Sequence, residues 1–546
     1  MSSNRAVHHL VAHHRVGAER DAGGGCVTVD ERNGEGSGRL SERSLYPGDH
    51  PLSDDPDGSE VSHLANHIGG VFRPADCGHW IDDFSPATGQ LIARIPCSDD
   101  DDVDAAVSAA SAAGHEWATT SVEQRADWLE RIADALETRF DEIAALESLD
   151  TGKPVSLARA IDATRSVTNF RFFADLVRQR AAEPERYEMA DASNLVIDKP
   201  VGVCALVTPW NLPLYLLSWK VAPALAMGNT VVCKPSELTP LTADLLARTI
   251  HSVGLPVGVF NLVHGNGQHA GAPLVEHPGV SAVSFTGGTV TGAVVAAAAA
   301  PSFKKISLEL GGKNSSIVFA DCDLEATIPG VVRAGFMNQG QVCLSGSRIL
   351  VEESLYEEFR DRLVAAVEAM VIGDPTDEST ELGALISAAH LAKVSGYIDL
   401  ARQEGGTILT GGEVPAHAAT ADSAFAAGYW LRPAVIEGLS TDSRCSTEEI
   451  FGPVVTLHPF ASEEEAVTIA NNTEHGLAGS VWTSDLERGA RVAAALETGM
   501  VWVNCWLHRD LRVPFGGVKS SGVGREGGMR SLAFFSEPLN LCIKHD

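Results

Sequence analysis

The amino-acid sequence predicts an α/β protein with two large domains. From Val201 onward, short apolar runs such as VGVCALVTPW and NTVVCKPS alternate with helical segments such as PLTADLLARTIHSVG. The second half of the chain repeats this alternation in SSIVFA, GSRILV and GLAGSVWT. Such alternation is typical of parallel sheets covered by helices, with ligand loops at the carboxyl ends of the strands. A chain of 546 residues also exceeds one ordinary hydrophobic core, which favours more than one domain.

The chain before Val201 divides into three segments. Residues 1–65 contain GGGC, NGEGSG and DDPDGSE without hydrophobic periodicity, and we expect a disordered tail. WIDDFSPATGQLIARIP alternates apolar and polar residues around turn residues, which predicts a β-hairpin. Helical periodicity then dominates residues 101–180.

The charge balance excludes one class of partner. The chain has 72 acidic and 41 basic residues, a formal net charge of −31, so its surface repels nucleic acid. The acidic residues are spread through helical segments such as SVEQRADWLERIADALETRF rather than gathered in blocks. Distributed acid with few lysines is typical of haloarchaeal proteins, which favours a halophilic protein; an ordinary acidic mesophilic enzyme is the alternative.

Cysteine usage and hydropathy indicate the compartment. The ten cysteines are scattered without CxxC pairs, which favours neither a disulfide framework nor a structural metal site, and we expect no metal. No apolar run reaches about 18 residues, so no membrane span is expected, and no secretion signal is evident. We therefore expect a cytoplasmic protein.

One cysteine stands in an unusual setting. Cys343 lies in NQGQVCLSG, among glycines, amides and a serine. A buried structural cysteine is the alternative for any thiol, but Gly340, Gln341 and Ser345 make a poor hydrophobic core. Small neighbours leave room for a substrate to approach, and a thiolate is a strong nucleophile. The pattern favours a catalytic Cys343.

A carboxylate interrupts an apolar run in LELGGK. Burial of Glu309 without a partner would be costly and would push its pKa upward. A raised pKa suits a general base. A structural salt bridge is the alternative.

Seven motifs in order carry a family resemblance. They are TPWNLPL, KPSELTPLTA, FTGGTVTG, LELGGKN, NQGQVCLSG, EEIFGPV and PFGGVKSSGVGREGG. GNGQHAG adds a GxGxxxG pattern that alone is weak evidence for a dinucleotide site. Together these motifs resemble the NAD(P)-dependent aldehyde dehydrogenase superfamily, over roughly Ile81 to Lys544.

The resemblance implies three catalytic residues. Cys343 would attack the aldehyde, and the side-chain amide of Asn211 would join the Cys343 backbone N–H in an oxyanion hole. Glu309 would activate the water that hydrolyses the thioester. The separation of 34 residues between Glu309 and Cys343 is similar to the family's.

The resemblance also implies a dinucleotide site. Lys234, Ser236 and Glu237 would contact the adenosine ribose, and Glu449 and Phe451 would lie at the nicotinamide ribose. A carboxylate at Glu237 accepts from a ribose 2′-hydroxyl but repels a 2′-phosphate, which favours NAD over NADP. The residues expected to line the dinucleotide are Thr208, Pro209, Trp210, Gly267, Gly287 and Gly288. Any one of these glycines could instead serve only a turn.

The family architecture assigns the segments. Residues 66–183 and 201–310 would form a Rossmann-like NAD-binding domain, and residues 311–526 an α/β catalytic domain. Residues 184–200 and 527–546 would form a small β oligomerisation element, which implies a homodimer or homotetramer.

Two further segments narrow the substrate. RSVTNFRFFADL and WVNCWLHRDLRVPFGG resemble the 2-hydroxymuconic and 2-aminomuconic semialdehyde dehydrogenase branch. Arg165 and Arg509 would then hold the carboxylate of a small-molecule semialdehyde. Either arginine could instead pair with a surface acid.

Other functions stay open at this point. A general, betaine or aliphatic aldehyde dehydrogenase would use the same thiol chemistry. A CoA-acylating enzyme would not need a water-activating base, so Glu309 argues against it. A non-catalytic NAD-binding relative would not need Cys343, Glu309 and Asn211 together.

Overall fold

The computed structural model describes residues 61–183 and 185–545. Positions 1–60 of the predicted tail lie outside the described residues. Ser62–His63 forms a strand, so the predicted end of the tail at residue 65 is wrong by a few residues. A two-residue strand carries no alternation pattern, and its partner Ala93–Arg94 comes much later in the chain.

The strands of the described residues are short. In chain order they are β1 (Ser62–His63), β2 (Asn66–Ile68), β3 (Val71–Arg73), β4 (Trp80–Phe84), β5 (Leu91–Pro96), β6 (Arg186–Glu188), β7 (Ala192–Pro200), β8 (Val203–Val207), β9 (Thr230–Lys234), β10 (Phe260–Leu262), β11 (Val280–Thr286), β12 (Lys305–Glu309), β13 (Ser315–Val318), β14 (Arg348–Glu352), β15 (Thr407–Thr410), β16 (Ala434–Glu437), β17 (Val454–Phe460), β18 (His475–Gly476), β19 (Ala478–Trp482), β20 (Met500–Val503), β21 (Val518–Lys519), β22 (Gly522–Val523) and β23 (Ser536–Lys544).

The α-helices alternate with these strands in most of the chain. They are α1 (Asp100–Thr119), α2 (Val122–Glu137), α3 (Phe140–Thr151), α4 (Val155–Ala158), α5 (Thr164–Ala182), α6 (Pro213–Ala226), α7 (Leu241–Val253), α8 (Ala272–Glu276), α9 (Thr289–Ala299), α10 (Leu324–Phe336), α11 (Tyr356–Glu368), α12 (Ala388–Gln403), α13 (Arg444–Thr447), α14 (Glu463–Asn471), α15 (Leu486–Ala495) and α16 (Gly528–Phe534). Short π-helical turns lie at Arg159–Ala163 and Gly267–Gly271, and short 3₁₀ turns at Ala300–Ser302, Met337–Gly340 and Glu353–Leu355.

The first large sheet confirms the predicted α/β fold. Its strand order is β22-β12-β11-β8-β9-β10-β2-β3, and β12, β11, β8, β9 and β10 run parallel. Near-continuous burial of strands such as VCALV and TVVCK is typical of a parallel sheet covered on both faces. Parallel strands end at one edge, so the loops after Val207, Lys234, Thr286 and Glu309 meet there.

The second large sheet has the order β15-β16-β17-β14-β13-β19-β20. All its neighbours are parallel except the antiparallel pair β15 and β16. The segment 311–526, which the sequence assigns to a separate domain, also sends β22 back to the first sheet. There Val523 pairs with Leu308 and Gly522 pairs with Glu309, so the second half of the chain closes the sheet edge beside Glu309.

The hairpin and the helical region expected before Val201 are confirmed. Strands β4 and β5 pair antiparallel, and helices α1 to α5 cover residues 100–182 with short interruptions. Helix α1 begins after Asp99, whose side chain accepts from the N–H of Asp101 and Asp102 in a capping box. Buried side chains of α2, α5 and α6, including Leu129 and Phe170, form one core with the first sheet.

A third, antiparallel sheet has the order β23-β7-β6 and joins the two segments predicted to form the oligomerisation element. Helix α16, which the sequence assigned to that element, buries Leu532 beside α5 and α6, and Phe535, directly after the helix, lies in the same core. Among the described residues, no helix is long and apolar enough to cross a membrane.

Candidate active site

A cavity of about 760 Å³ lies at the carboxyl edge of the first sheet. Loops from the second half of the chain close its other side. Every residue that the sequence assigned to catalysis, cofactor or substrate lines it: Arg165, Thr208, Pro209, Trp210, Asn211, Lys234, Ser236, Glu237, Gly267, Gly287, Gly288, Glu309, Cys343, Glu449, Phe451 and Arg509. The fold therefore brings together side chains that are far apart in the sequence.

Cys343 follows a turn with unusual backbone angles. Asn338, Gln339 and Gly340 have positive φ angles of 54°, 56° and 67°. A β-carbon at Gly340 would lie 2.2 Å from the carbonyl oxygen of Gly452, so this position requires glycine. The NQG sequence thus matches a left-handed turn that presents Cys343 to the cavity.

Two buried amide side chains hold the backbone around the thiol. Asn211 Nδ2 donates to the Gln341 carbonyl at 2.9 Å. Asn314 Nδ2 donates to the carbonyls of Cys343 at 2.8 Å and Ser345 at 2.9 Å. Within the described residues, the second N–H of the Asn211 amide makes no hydrogen bond, and the backbone N–H of Cys343 contacts only that residue's own thiol. Both donors are therefore available to a ligand atom at the thiol.

The electrostatic surroundings keep the Cys343 thiol protonated. Burial, followed by the carboxylates of Glu449 and Glu309, raises the pKa of Cys343 to about 12, while Arg509 acts in the opposite direction. Because the thiolate is the nucleophile, attack requires that the thiol lose its proton to an acceptor in the site.

In its ionised form, Glu309 can serve as such an acceptor. It ends β12, it is 4% exposed, and neither of its carboxylate oxygens has a hydrogen-bond partner within residues 61–183 and 185–545. Burial, followed by the nearby Glu526 carboxyl, raises its pKa well above the usual range, while Lys220 lowers it. The structural salt bridge considered from the sequence is not formed by any described residue.

A buried network that the sequence did not reveal adjoins Glu309. Lys220 Nζ lies 2.7 Å from Glu526 Oε1 and donates to Ser284 Oγ at 2.8 Å. The Ser284 hydroxyl donates to the same Glu526 oxygen at 3.3 Å. The pair joins α6 to the loop before α16.

The middle of the cavity is shaped by Glu449 and Phe451. The Glu449 carboxylate accepts from the Gly312 N–H at 2.8 Å, and burial raises its pKa. Phe451 has a positive φ of 63°, and its carbonyl contacts His390 Nε2 at 2.7 Å. The Phe451 ring meets the Trp210 ring edge-on at a centroid distance of 5.3 Å.

The opposite end of the cavity is open and is lined in part by glycines and by backbone N–H groups. Lys234 Nζ lies 3.1 Å from the Glu237 carboxylate. Helix α9 begins after Gly288 without a side-chain cap, and a β-carbon at Gly288 or Gly267 would meet no atom within 4 Å. Uncapped N–H groups at a helix N-terminus favour a negatively charged ligand group.

Two arginines converge on one tyrosine at the substrate end. Arg509 Nη1 donates to Tyr215 Oη at 2.5 Å, and Arg165 Nη2 donates to the same oxygen at 3.4 Å. Arg509 also lies over the rings of Phe515 at 4.0 Å and Trp219 at 4.8 Å. Its Nη2 is buried and has no hydrogen-bond partner in the described part of the chain. No described acid forms an ion pair with either arginine, which contradicts the surface-pair alternative.

The match to a family model decides what kind of protein has this cavity. The model of the aldehyde dehydrogenase family matches residues 72–540. The chain belongs to the aldehyde dehydrogenase family. Among curated relatives, it is 48% identical over 490 residues to a 2-hydroxymuconic semialdehyde dehydrogenase of Pseudomonas sp. strain CF600, covering 89% of this chain and 99% of that protein.

Two other relatives extend the comparison. A 2-aminomuconic semialdehyde dehydrogenase of Bos taurus is 46% identical over 482 residues, covering 88% of this chain and 98% of that protein. The crystal structure of a betaine aldehyde dehydrogenase of Staphylococcus aureus in complex with NAD⁺ has a TM-score of 0.84 and 36% identity, covering 88% of this chain and 94% of that one. The expected superfamily and α/β fold are thus confirmed.

The sequence missed several members of this aldehyde dehydrogenase site. Tyr215, Phe515 and His390 line the cavity, while Lys220 and Glu526 lie behind Glu309. The run NLPLYLLSWK contains Tyr215 and Lys220 at spacings that place them on one helix, and the charged Lys220 in an apolar helix was the available signal. Within the described residues, no group of three or more acidic, histidine or cysteine side chains could hold a metal ion.

Proposed function

We propose that this aldehyde dehydrogenase oxidises the aldehyde group of a carboxylate-bearing semialdehyde, of the 2-hydroxymuconate semialdehyde type, with NAD as the hydride acceptor. The curated relatives with 46–48% identity that are named for muconic semialdehydes support this substrate class. The observation that carries the proposal is the pair Arg165 and Arg509 at one end of the cavity.

The two guanidinium groups form a binding site for an anion, and no carboxylate of the described residues pairs with them. Both donate to the neutral Tyr215 hydroxyl, and Arg509 Nη2 has no partner among the described residues. Burial lowers the pKa of Arg509 because the charged guanidinium loses its contact with water. A bound carboxylate would offset this loss. Planar guanidinium groups hold carboxylates through paired, charge-assisted hydrogen bonds. The Tyr215 O–H is placed to donate to the same anion.

The thiol end would carry out the covalent steps. The Cys343 thiol transfers its proton to the Glu309 carboxylate, and the sulfur adds to the aldehyde carbon to give a hemithioacetal alkoxide. The free N–H of Asn211 Nδ2 and the Cys343 N–H then donate to that alkoxide oxygen.

Glu309 would act again after oxidation. Once the hemithioacetal carbon has lost a hydride, Cys343 carries a thioester. The Glu309 carboxylate removes a proton from a water molecule, which attacks the thioester and releases the carboxylic acid with the thiol. Between the two steps, Glu309 must release to solvent the proton that it took from the thiol.

The residues at the open end of the cavity fit NAD. Bound NAD supplies the hydride acceptor. The uncapped start of α9 after Gly288 suits the pyrophosphate, and the Glu237 carboxylate suits an unphosphorylated ribose. The Glu449 carboxylate, fixed by the Gly312 N–H, would hold the ribose at the other end. Lys234, Ser236, Thr208, Pro209, Trp210, Gly267, Gly287 and Phe451 complete the proposed contacts.

Betaine aldehyde is a less suitable substrate on electrostatic grounds. Its quaternary ammonium group would be repelled by two buried guanidinium groups. Aromatic faces that could hold such a cation are already covered, because Arg509 lies over the rings of Phe515 and Trp219. A general aliphatic aldehyde dehydrogenase would leave the arginines without an anion.

Two further proposals concern the protein's setting. The net charge of −31 supports function at high salt in the cytoplasm of a halophile. Exposed apolar side chains on the third sheet support assembly into a homodimer or homotetramer through it: Tyr187, Leu539, Leu541 and Ile543.

A matched aldehyde panel tests the proposed function. NADH formation is measured at high salt with a semialdehyde bearing a distal carboxylate, with its methyl ester, and with betaine aldehyde. We expect the highest kcat/KM for the free carboxylate and a much lower value for the ester. A parent enzyme that prefers the ester or betaine aldehyde would contradict the proposal.

A further inference from the structure

Lys153 is a fully buried lysine outside the cavity wall. Its Nζ donates to the backbone carbonyl of Asn211 at 3.1 Å and to Asp162 Oδ2 at 2.8 Å, and it lies 3.6 Å from Glu147 Oε2. All three charged side chains are 0% exposed. Such a cluster is costly to desolvate and is weak evidence for stability alone, so a role beyond stability deserves a test.

Lys153 makes one of two side-chain hydrogen bonds to the Asn211 carbonyl. The same Asn211 carbonyl accepts a second hydrogen bond from Asn338 Nδ2 at 3.1 Å. Asn338 Nδ2 also lies 3.2 Å from the Gln341 carbonyl, to which Asn211 Nδ2 donates at 2.9 Å. Two donors thus fix the peptide plane of Asn211 while its side chain is directed to the Cys343 loop. A shift of that plane would move the free amide N–H.

The partners of Lys153 are themselves fixed to elements at the cavity. Asp162 lies in the π-helical turn Arg159–Ala163, immediately before the helix that carries Arg165. Glu147 accepts from the Leu214 N–H at 2.9 Å, at the start of α6. Lys153 therefore connects the turn before α5, the start of α6 and the carbonyl of Asn211.

We infer that Lys153 is a positioning residue for the reaction, which sets the orientation of the Asn211 amide through its backbone carbonyl. The inference rests on the proposed role of Asn211 as a donor to the alkoxide. If Lys153 only stabilised the fold, its loss would lower the amount or stability of the enzyme without a selective effect on acylation.

A double-mutant cycle with Lys153→Met and Asn211→Ala tests this inference. The rate of acylation is measured as NADH appearance in a single turnover with enzyme in excess, and NAD binding by fluorescence. Asn211→Ala should slow acylation by about 10²- to 10³-fold, the usual effect of losing one oxyanion donor. Lys153→Met should slow it by roughly 10- to 100-fold, because the amide is misplaced rather than lost. NAD binding should stay within about 2-fold in both.

The double mutant separates the two explanations. In the Asn211→Ala background, Lys153→Met should cost less than about 3-fold, since the group it positions is gone. An equal loss in both backgrounds would overturn the inference. If Asn211→Ala is slow and Lys153→Met is normal, the inference about Lys153 is overturned while the proposed role of Asn211 stands. If Asn211→Ala is normal, the proposed role of Asn211 is overturned as well.

Two companion variants protect the test against misfolding. Arg125 is also a buried cation whose guanidinium donates to backbone carbonyls, of Ala226 and Thr120, but it lies outside the cavity. Arg125→Met should therefore leave the acylation rate unchanged. If Lys153→Met does not fold, Asp162→Asn replaces it in the cycle. It should slow acylation several-fold in the parent and not in Asn211→Ala, and equal losses would again overturn the inference.

Discussion

The two ends of the cavity are built differently. At the thiol end, which comprises Cys343, Asn211 and Glu309, amide side chains hold the loop by donating to backbone carbonyls, as Asn211 does to Gln341. At the arginine end, which comprises Arg165, Arg509 and Tyr215, side chains hold one another. Arg509 and Tyr215 are 294 residues apart in the chain.

This difference separates chemistry from selectivity. A thiol end fixed by backbone contacts tolerates few substitutions, because moving any carbonyl displaces the reacting atoms. An arginine end made of side-chain contacts can change its ligand while the backbone stays in place. We therefore expect substitutions at the thiol end to affect every aldehyde equally, and substitutions at the arginine end to discriminate between aldehydes.

The largest effect is expected for Cys343→Ser. Loss of the nucleophile should lower kcat by on the order of 10³-fold or more for charged and uncharged aldehydes alike. NAD binding, measured by calorimetry, should remain close to that of the parent, because the thiol does not hold the dinucleotide. Cys505→Ser, at another partly buried cysteine, is the matched control and should be active. Near-normal turnover in Cys343→Ser would refute the assignment.

Glu309→Gln should separate acylation from hydrolysis. Without the carboxylate that accepts the thiol proton and then activates water, the enzyme should form its first equivalent of NADH more slowly than the parent and then turn over more slowly still, with a covalent adduct on Cys343. Rapid-mixing absorbance and intact-protein mass spectrometry measure these two outcomes. If no burst and no adduct appear, Glu309 is needed for attack by the thiol before it is needed for hydrolysis.

The same substitution should change how stability depends on pH. The pKa of Glu309 is raised in the folded state, so the folded protein keeps a proton that the unfolded chain loses above its ordinary pKa. The contribution of Glu309 to the free energy of unfolding is fully present below that ordinary pKa. It falls as the pH rises towards the pKa of the folded state. Glu309→Gln removes this loss, so its Tm relative to the parent should increase as the pH rises above the ordinary pKa of a glutamate carboxyl. A constant difference in Tm would show that Glu309 is ionised in the folded protein.

Salt should act on the surface more than on the buried site. Dispersed carboxylates repel one another over about 30 Å at 0.01 M salt but only about 3 Å at 1 M. Activity and Tm should therefore rise towards molar KCl, while the preference between charged and uncharged aldehydes should change little, because buried charges are less screened. A flat response of Tm to salt would remove the halophile proposal and leave the enzyme assignment intact.

Sequence reasoning succeeded where local chain geometry carries the information. Strand and helix alternation predicted both α/β sheets, and the small and polar neighbours of Cys343 singled out this thiol, which lines the cavity. They did not predict the left-handed turn that requires glycine at Gly340. Sequence reasoning also did not reveal Tyr215 between the arginines, nor the pairing of Lys220 with Glu526. Those contacts join residues that are adjacent only after the sheets have formed, so no local pattern specifies them.

The role of the arginine end in substrate selection is measured most directly by the effect of Arg509→Ala on paired substrates. Removing one partner of a buried charged pair typically costs on the order of 2 to 5 kcal/mol. For a semialdehyde with a distal carboxylate, kcat/KM should therefore fall by tens-fold or more, while the value for its methyl ester should stay near that of the parent. Arg512→Ala, which lies on the same loop and pairs with Asp510 at the surface, should affect neither substrate. Equal losses on both substrates in Arg509→Ala would show that Arg509 supports the fold rather than the substrate carboxylate, and would contradict the account.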